Sequence, residues 1–250
     1  TTIRCNLTKI SREDLKNKLE EEGVTVEVIP EVKEALVISN YDSLQRLSSF
    51  QNGEFYIQDL SSMKVAEIAN PQKDQYIIDM CAAPGGKSLH LAEKLEGTGM
   101  VDARDVSWKK VDQILENKKR IGLHNLEAKL QDATILDPES VDLADIVIAD
   151  VPCSGLGVIS KKVDIKYKMT PEKIKEIVIL QRQILEVAGT YVKANGFLVY
   201  STCTINREEN QENVQWFLQK FPDFECCFEE QILPIDGKQD GFFISKLEKK

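Results

Sequence analysis

Apolar and polar positions along this chain switch repeatedly between a two-residue and a helical period. The switches divide it into elements. Thr2 to Leu7 reads as a strand, and Ser11 to Glu22 as a helix with Ser11 as N-cap, acids in its first turn and Gly23 as its stop. Val24 to Ile29 alternates and ends at Pro30; Ala35 to Ile38 and Phe55 to Ile57 are short strands around a helical stretch, Tyr41 to Phe50. From there strands and helices alternate. Gln58 to Asn70 is a helix ending before Pro71, and Tyr76 to Met80 a strand followed by the helix Gly86 to Leu95. Val101 to Asp105 is a strand, Ser107 to Ile121 a helix closed by Gly122, and Leu126 to Leu130 and Ile146 to Asp150 are strands. Thr170-Pro171 opens a long helix to about Val192, with Pro171 at its first position. Phe197 to Ser201 is a strand and Asn206 to Phe221 a helix, and the strands Phe224 to Phe228 and Gly241 to Leu247 follow.

This order predicts two units. Residues 1–57 run βαββαβ, the order of a small ferredoxin-like or RNA-recognition-like α+β module, although the stacking aromatics of a true RNA-recognition surface are not evident. Residues 58–250 alternate as a doubly wound α/β sheet does, with ligands expected at the carboxyl ends of its strands.

Composition narrows the class. No apolar run approaches the roughly 20 residues of a bilayer span, so no membrane partner is expected. The N-terminus lacks a secretory pattern, and the chain begins without Met, as a fragment or processed chain would. The six cysteines form no C-x-x-C pair and there are only two histidines, which argues against a zinc framework and for reduced thiols in a cytoplasmic protein. A net charge of −9 argues against a nucleic-acid partner, yet six lysines against two acids between Lys161 and Lys175, and the cluster Lys118-Lys119-Arg120, would suit a phosphate backbone. Either cluster alone serves equally well as a solvated helix flank. A monomer is the expected state.

Three strand ends carry the chemistry. Asp79-Met80-Cys81-Ala82-Ala83-Pro84-Gly85-Gly86-Lys87 joins the first strand of the large sheet to its helix. Paired glycines there allow close backbone approach to a ligand at a helix N-terminus. A phosphate-binding Walker loop would need glycine where Cys81 stands, and the dinucleotide pattern G-x-G-x-x-G is absent. The remaining reading is S-adenosylmethionine, its carboxylate held by the helix N-terminus and Lys87. Asp105, at the next strand end, is placed for the ribose hydroxyls, and Asp132, after the third strand, for the adenine amino group. Either aspartate would serve as readily as a local cap.

Asp150-Val151-Pro152-Cys153-Ser154-Gly155 and Ser201-Thr202-Cys203-Thr204 each place a thiol just beyond an apolar strand. A lone strand-end cysteine is most often an inert small hydrophobe, but an Asp, a Pro and a Cys in one tight turn point to covalent chemistry. A pyrimidine C5 is a poor nucleophile, and adding a thiolate at C6 makes it enamine-like. Such a reaction needs a nucleophilic thiolate, a group at N3 and N4, and a base for the C5 proton. Cys203, Asp150 and Cys153 could divide these roles, and chemistry alone does not rank the two thiols.

On these residues, with Gln58-Asp59-Leu60-Ser61-Ser62 and Asp240-Gly241-Phe242-Phe243, the chain resembles the Sun/RsmB branch of the Nop/Sun family of RNA 5-methylcytosine methyltransferases over about residues 1–248. The resemblance implies a Rossmann-like class I methyltransferase domain. It implies transfer of methyl from S-adenosyl-L-methionine to cytosine C5, with ribosomal RNA as first and tRNA as second candidate substrate, or else a silent RNA-binding relative. It assigns Cys203 to the attack on C6, Cys153 to product release and Asp150 to the target base. Cofactor contacts carry over to Cys81, Ala82, Ala83, Pro84, Gly85, Gly86, Lys87, Asp105, Asp132 and Asp150. Lys161, Lys162 and Lys166 are expected to hold RNA, although Val163 stands where relatives often have Pro. Sun-type enzymes also often carry an upstream helical RNA-binding domain of the NusB type.

Overall fold

The computed structural model describes residues 1–234 and 239–250. Its first sheet is antiparallel and built from β1 (Thr2–Cys5), β2 (Thr25–Val28), β3 (Ala35–Ser39) and β4 (Phe55–Ile57), in the order β2-β3-β1-β4. Between them lie α1 (Arg12–Glu21), capped by the Ser11 side chain, and the short α2 (Ser48–Gln51). The expected single helix over Tyr41 to Phe50 is instead a 3-10 turn, Leu44–Arg46, followed by α2. Leu47, in extended conformation with its side chain buried, breaks the run.

The second sheet holds β5 (Tyr76–Asp79), β6 (Met100–Asp105), β7 (Leu126–Leu130), β8 (Ala144–Asp150), β9 (Val192–Thr202), β10 (Phe224–Ile232) and β11 (Phe242–Lys249). Their order is β10-β11-β9-β8-β5-β6-β7, with β7 to β9 parallel and the β10–β11 hairpin antiparallel at one edge. The strand order reverses between β5 and β8, which makes that crevice the topological switch point.

Helices cover both faces. Val65 and Ala66 of α3 (Leu60–Ala69), Leu89 of α4 (Gly86–Lys94) and Ile114 of α5 (Trp108–Ile121) fill one core. The other face meets Ile184 and Leu185 of α7 (Pro171–Tyr191) and Phe217 of α8 (Gln211–Lys220); the four-residue α6 (Ile165–Lys168) precedes α7. With both faces covered, the central strands read as continuous apolar runs rather than alternating ones. Three boundaries in this second unit differ from the sequence pattern by four residues or more. β9 begins at Val192, which pairs with Ala144; Lys193 to Gly196 then bulge from the ladder, with Asn195 in the left-handed region, and pairing resumes at Phe197 opposite Ile146. β10 continues to Ile232, paired with β11 on both sides of a bulge at Cys227, so the polar Glu229 to Gln231 lie in the strand. α8 begins at Gln211 because residues 206–210 form a turn whose side chains are committed elsewhere, as shown below.

The two sheets meet at the loop before α4. Arg4 of β1 is fully buried and donates to the Gly86 carbonyl (2.9 Å), to Glu93 (2.9 Å) and to Gln58. Arg120 of α5 donates to the Phe50 and Phe55 carbonyls and lies over the Phe50 ring, so it ties α5 to the first sheet and is not available to a phosphate.

Candidate active site

Parallel pairing of β8 with β9 sets Asp150 opposite Ser201. Each cysteine follows within three residues of that pair, so the two motifs converge although fifty residues separate them in sequence. Cys153 Sγ lies 3.2 Å from Cys203 Sγ. The Ser201 hydroxyl donates to Asp150 Oδ1 at 2.7 Å, and Lys87 Nζ, from the first turn of α4, donates to Asp150 Oδ2 at 2.6 Å. Lys87 also lies 5.4 Å from the Phe242 ring centroid, which brings the Asp240-to-Phe243 motif to the same edge.

The thiols are not equivalent. The hydrogen bond from Cys153 pulls Cys203 below the ordinary thiol range, assisted by the Lys87 charge against burial and Asp150. The same bond, followed by burial, pushes Cys153 well above that range. The pair therefore stabilises a thiolate on Cys203 and keeps the proton on Cys153. Burial likewise raises Cys81, which contributes to the loop through its backbone.

Beside the thiols, a cleft of about 250 Å³ opens between the first sheet and the switch point, bordered by Tyr56, Gln58, Asp79, Cys81, Lys87 and Asp150. Cys81, Ala82, Ala83, Pro84 and Gly86 line it as well. Gly85 caps α4 at φ +108°, a conformation open to glycine; no side chain caps the helix, and its first residues, Gly86 and Lys87, border the cleft. Asp79, at the end of β5, is fully buried, and burial raises it to about 7 even though Ser88 donates to Oδ2. Its Oδ1 has no partner. A buried carboxylate with one oxygen unpaired, an uncapped helix N-terminus and a lysine around one cleft suit a ligand that carries both a cation and a carboxylate.

Other expected residues are differently engaged. Asp105 accepts from the N–H groups of Ala83 (2.9 Å) and Val106 (2.7 Å) and pairs with Lys110, so it braces the loop. Asp132 accepts from Thr134 N and Oγ1, a local turn that lowers its pKa. Lys161 is held by Asp59 (2.7 Å) and Asp240 (2.9 Å), a latch across the cleft rim rather than a free cation. Lys162 and Lys166 are exposed, and among the described residues neither makes an ion pair.

Sequence reasoning missed the support beneath the thiols. Glu209 is fully buried and accepts from Ser154 N (2.8 Å), Ser154 Oγ (2.5 Å), Gln181 Nε2 (3.1 Å) and Asn206 Nδ2 (3.2 Å). Asn210 bridges Thr202, the Thr204 carbonyl and Gln231. Gly157 lets the segment after Cys153 pass against the Cys203 and Gly241 carbonyls, where a Cβ would fall 2.0 Å from the Gly241 oxygen. Asp79 carried a readable signal, a carboxylate closing the first strand of the large sheet. Glu209 and Asn210 carried none, since nothing separates them by period from a solvated helix start.

The family model described as 16S rRNA methyltransferase RsmB/F matches residues 66–248. The chain belongs to this family. Within it, the chain is 38% identical over 267 residues to the probable ribosomal RNA small subunit methyltransferase B of Bacillus subtilis (strain 168), covering 100% of this chain and 60% of that protein. It is 35% identical to the tRNA (cytosine(72)-C(5))-methyltransferase of Pyrococcus horikoshii over 96% of this chain and 62% of that one. Among solved structures, NSun6 from Pyrococcus horikoshii with SFG superposes with a TM-score of 0.90 at 26% identity, over 99% of this chain and 90% of the other. The chain thus spans about 60% of the length of its curated RsmB relatives.

Proposed function

We propose that this chain methylates C5 of a cytosine in RNA, taking the methyl group from S-adenosyl-L-methionine and working through a covalent bond between Cys203 and C6. The 3.2 Å thiol pair beside the Lys87–Asp150 ion pair carries the reading. Ribosomal RNA is the favoured substrate, since among the most similar curated relatives seven are ribosomal RNA small subunit methyltransferases B and one is a tRNA methyltransferase. Residues 58–250 form the methyltransferase domain. Residues 1–57, whose chain order and sheet order are ferredoxin-like, serve as a small RNA-facing module in a cytoplasmic enzyme.

When bound, S-adenosylmethionine would supply an electrophilic methyl on a sulfonium and, as the methyl–sulfur bond breaks, leave as the neutral thioether. The α4 N-terminus and Lys87 would hold its carboxylate, Asp79 and Asp150 would offset its positive charge, and the exposed Val106 with the Asp105 and Asp132 strand ends would serve the nucleoside. The target cytosine leaves its stack to reach the thiols. Cys203 thiolate forms the S–C6 bond, and electron density moves into C5. Asp150 hydrogen-bonds the base edge, kept in orientation by Ser201 and Lys87. After C5 has gained its methyl it still carries its hydrogen; a base removes that proton, the S–C6 bond breaks, and the electron pair returns to Cys203. Cys153 assists this release. Lys162 and Lys166 contact phosphates.

The decisive experiment is a denaturing gel of wild-type, Cys153→Ala and Cys203→Ala protein incubated with ribosomal RNA and S-adenosylmethionine. A protein–RNA adduct that persists in Cys153→Ala and vanishes in Cys203→Ala supports the assignment. The reverse pattern transfers the nucleophile to Cys153 and overturns it.

A further inference from the structure

A cluster of metal-type donors outside the cleft lies where three separate parts of the chain meet. Glu34 directly precedes β3 of the first sheet, Glu67 lies on α3, and His90 lies one turn into α4. One donor atom from each falls within 4.8 Å of the other two. His90 is 1% exposed, and neither ring nitrogen has a hydrogen-bond partner. Its Nε2 faces Glu67 Oε1 at 3.8 Å. A neutral imidazole has one N–H to donate and one lone pair to fill, so a buried ring with both idle is missing a ligand or a bond.

The cluster already attracts a cation. Lys94 Nζ lies 2.6 Å from Glu67 Oε1 and 4.0 Å from Glu34 Oε1. The neighbouring Glu93 is committed to Arg4 and does not compete. A cavity of about 780 Å³, bordered by Glu34, His90, Lys94, Asn70 and His124, opens beside the three residues and provides an entry path and room for the lysine to swing away.

We propose that Glu34, Glu67 and His90 bind a divalent transition-metal ion, Zn²⁺ being the type, with water completing the coordination and Lys94 displaced into the cavity. One imidazole nitrogen and two carboxylates suit zinc and its first-row neighbours, whereas calcium and magnesium prefer oxygen alone. A tetrahedral ion spaces its ligands by roughly 3.4 Å, so Glu67 and His90, 3.8 Å apart, already sit near that spacing and the remaining donors close by at most about 1.4 Å. Because Glu34 belongs to the first sheet and the other two to the helix layer of the second, the ion would clamp the small module to the helix that follows the cofactor loop.

The test is calorimetric titration of ZnCl₂ into chelator-stripped protein, paired with thermal melts, for wild type, Glu67→Gln, Lys94→Met and Cys203→Ala. Glu67 is solvent-exposed, so its substitution leaves folding intact. The expected result is one ion per chain with a raised melting temperature, at least tenfold weaker binding in Glu67→Gln, and at least threefold tighter binding in Lys94→Met, where the competing ammonium is gone. Zinc binding that is absent, or unchanged in both variants, overturns the proposal. Binding lost only in Cys203→Ala assigns the ion to the thiol pair and overturns it equally.

Discussion

At the scale of single residues, the proposed chemistry rests on how two thiols share one proton. Cys203 is pulled below the ordinary thiol range chiefly by the Cys153 hydrogen bond. Alkylation by iodoacetamide, followed by peptide mass spectrometry, should therefore show Cys203 reacting with a midpoint below about pH 8.5, the value of a free thiol. Removing the donor in Cys153→Ala should move that midpoint upward. A midpoint at or above 8.5 in wild type, or one insensitive to Cys153, contradicts the proton assignment. Asp79 gives a second test. Its folded pKa, about 7, lies above its unfolded value near 4, so between those limits the native state keeps a proton the unfolded chain has lost. Stability from this group is then full below about pH 4, falls as pH rises toward 7 and stays low above it. Asp79→Asn removes the loss. In urea unfolding of the ligand-free protein, the variant should gain at least about 1 kcal/mol on wild type between pH 5 and pH 8. No change in that difference would mean the carboxylate ionises normally. Cys153 and Cys203 were legible in the sequence because a residue's place at a strand end can be read locally. Their inequality was not, because it depends on a contact across fifty residues.

At the scale of elements, the start of α8 explains how two loops are kept in register. A helix from Asn206 matches the local pattern, yet Asn206, Glu209 and Asn210 turn their side chains toward the Cys153 and Cys203 loops instead. Polar side chains that find such partners compete with helix formation. Glu209→Ala leaves the Ser154 N–H buried without its acceptor and one Gln181 amide hydrogen unpaired, the other still reaching the Pro152 carbonyl, and each such unmet donor costs about 1–3 kcal/mol. Urea denaturation should show a loss of roughly 2–5 kcal/mol on that basis. Release of the RNA adduct should slow in parallel, because Ser154 adjoins Cys153. A loss below 1 kcal/mol would show that water satisfies the site. The strands and helices around this hub were readable because apolar period marks them. The hub was not, since a buried polar network has no period and is defined by what surrounds it.

At the scale of the whole molecule, the first sheet is part of the cofactor loop's architecture. Arg4 reaches from β1 to the Gly86 carbonyl and also neutralises the buried Glu93. Arg4→Met strands that carboxylate, and breaking a buried pair costs about 3–5 kcal/mol. Replacing both partners, Arg4→Met with Glu93→Leu, removes the stranded charge, and such apolar replacements are often neutral. The two roles of Arg4 therefore separate. The double variant should recover most of the melting temperature lost by Arg4→Met, but not the affinity for S-adenosylmethionine measured by calorimetry, because Gly86 still lacks its donor at the head of α4. Recovery of both would reduce Arg4 to a charge partner of Glu93. Recovery of neither would mean that the two sheets depend on the ion pair itself. The two-unit organisation read from element order hides this dependence: Arg4 stands in a four-residue strand where alternation marks it as half-exposed, and only the second sheet buries it.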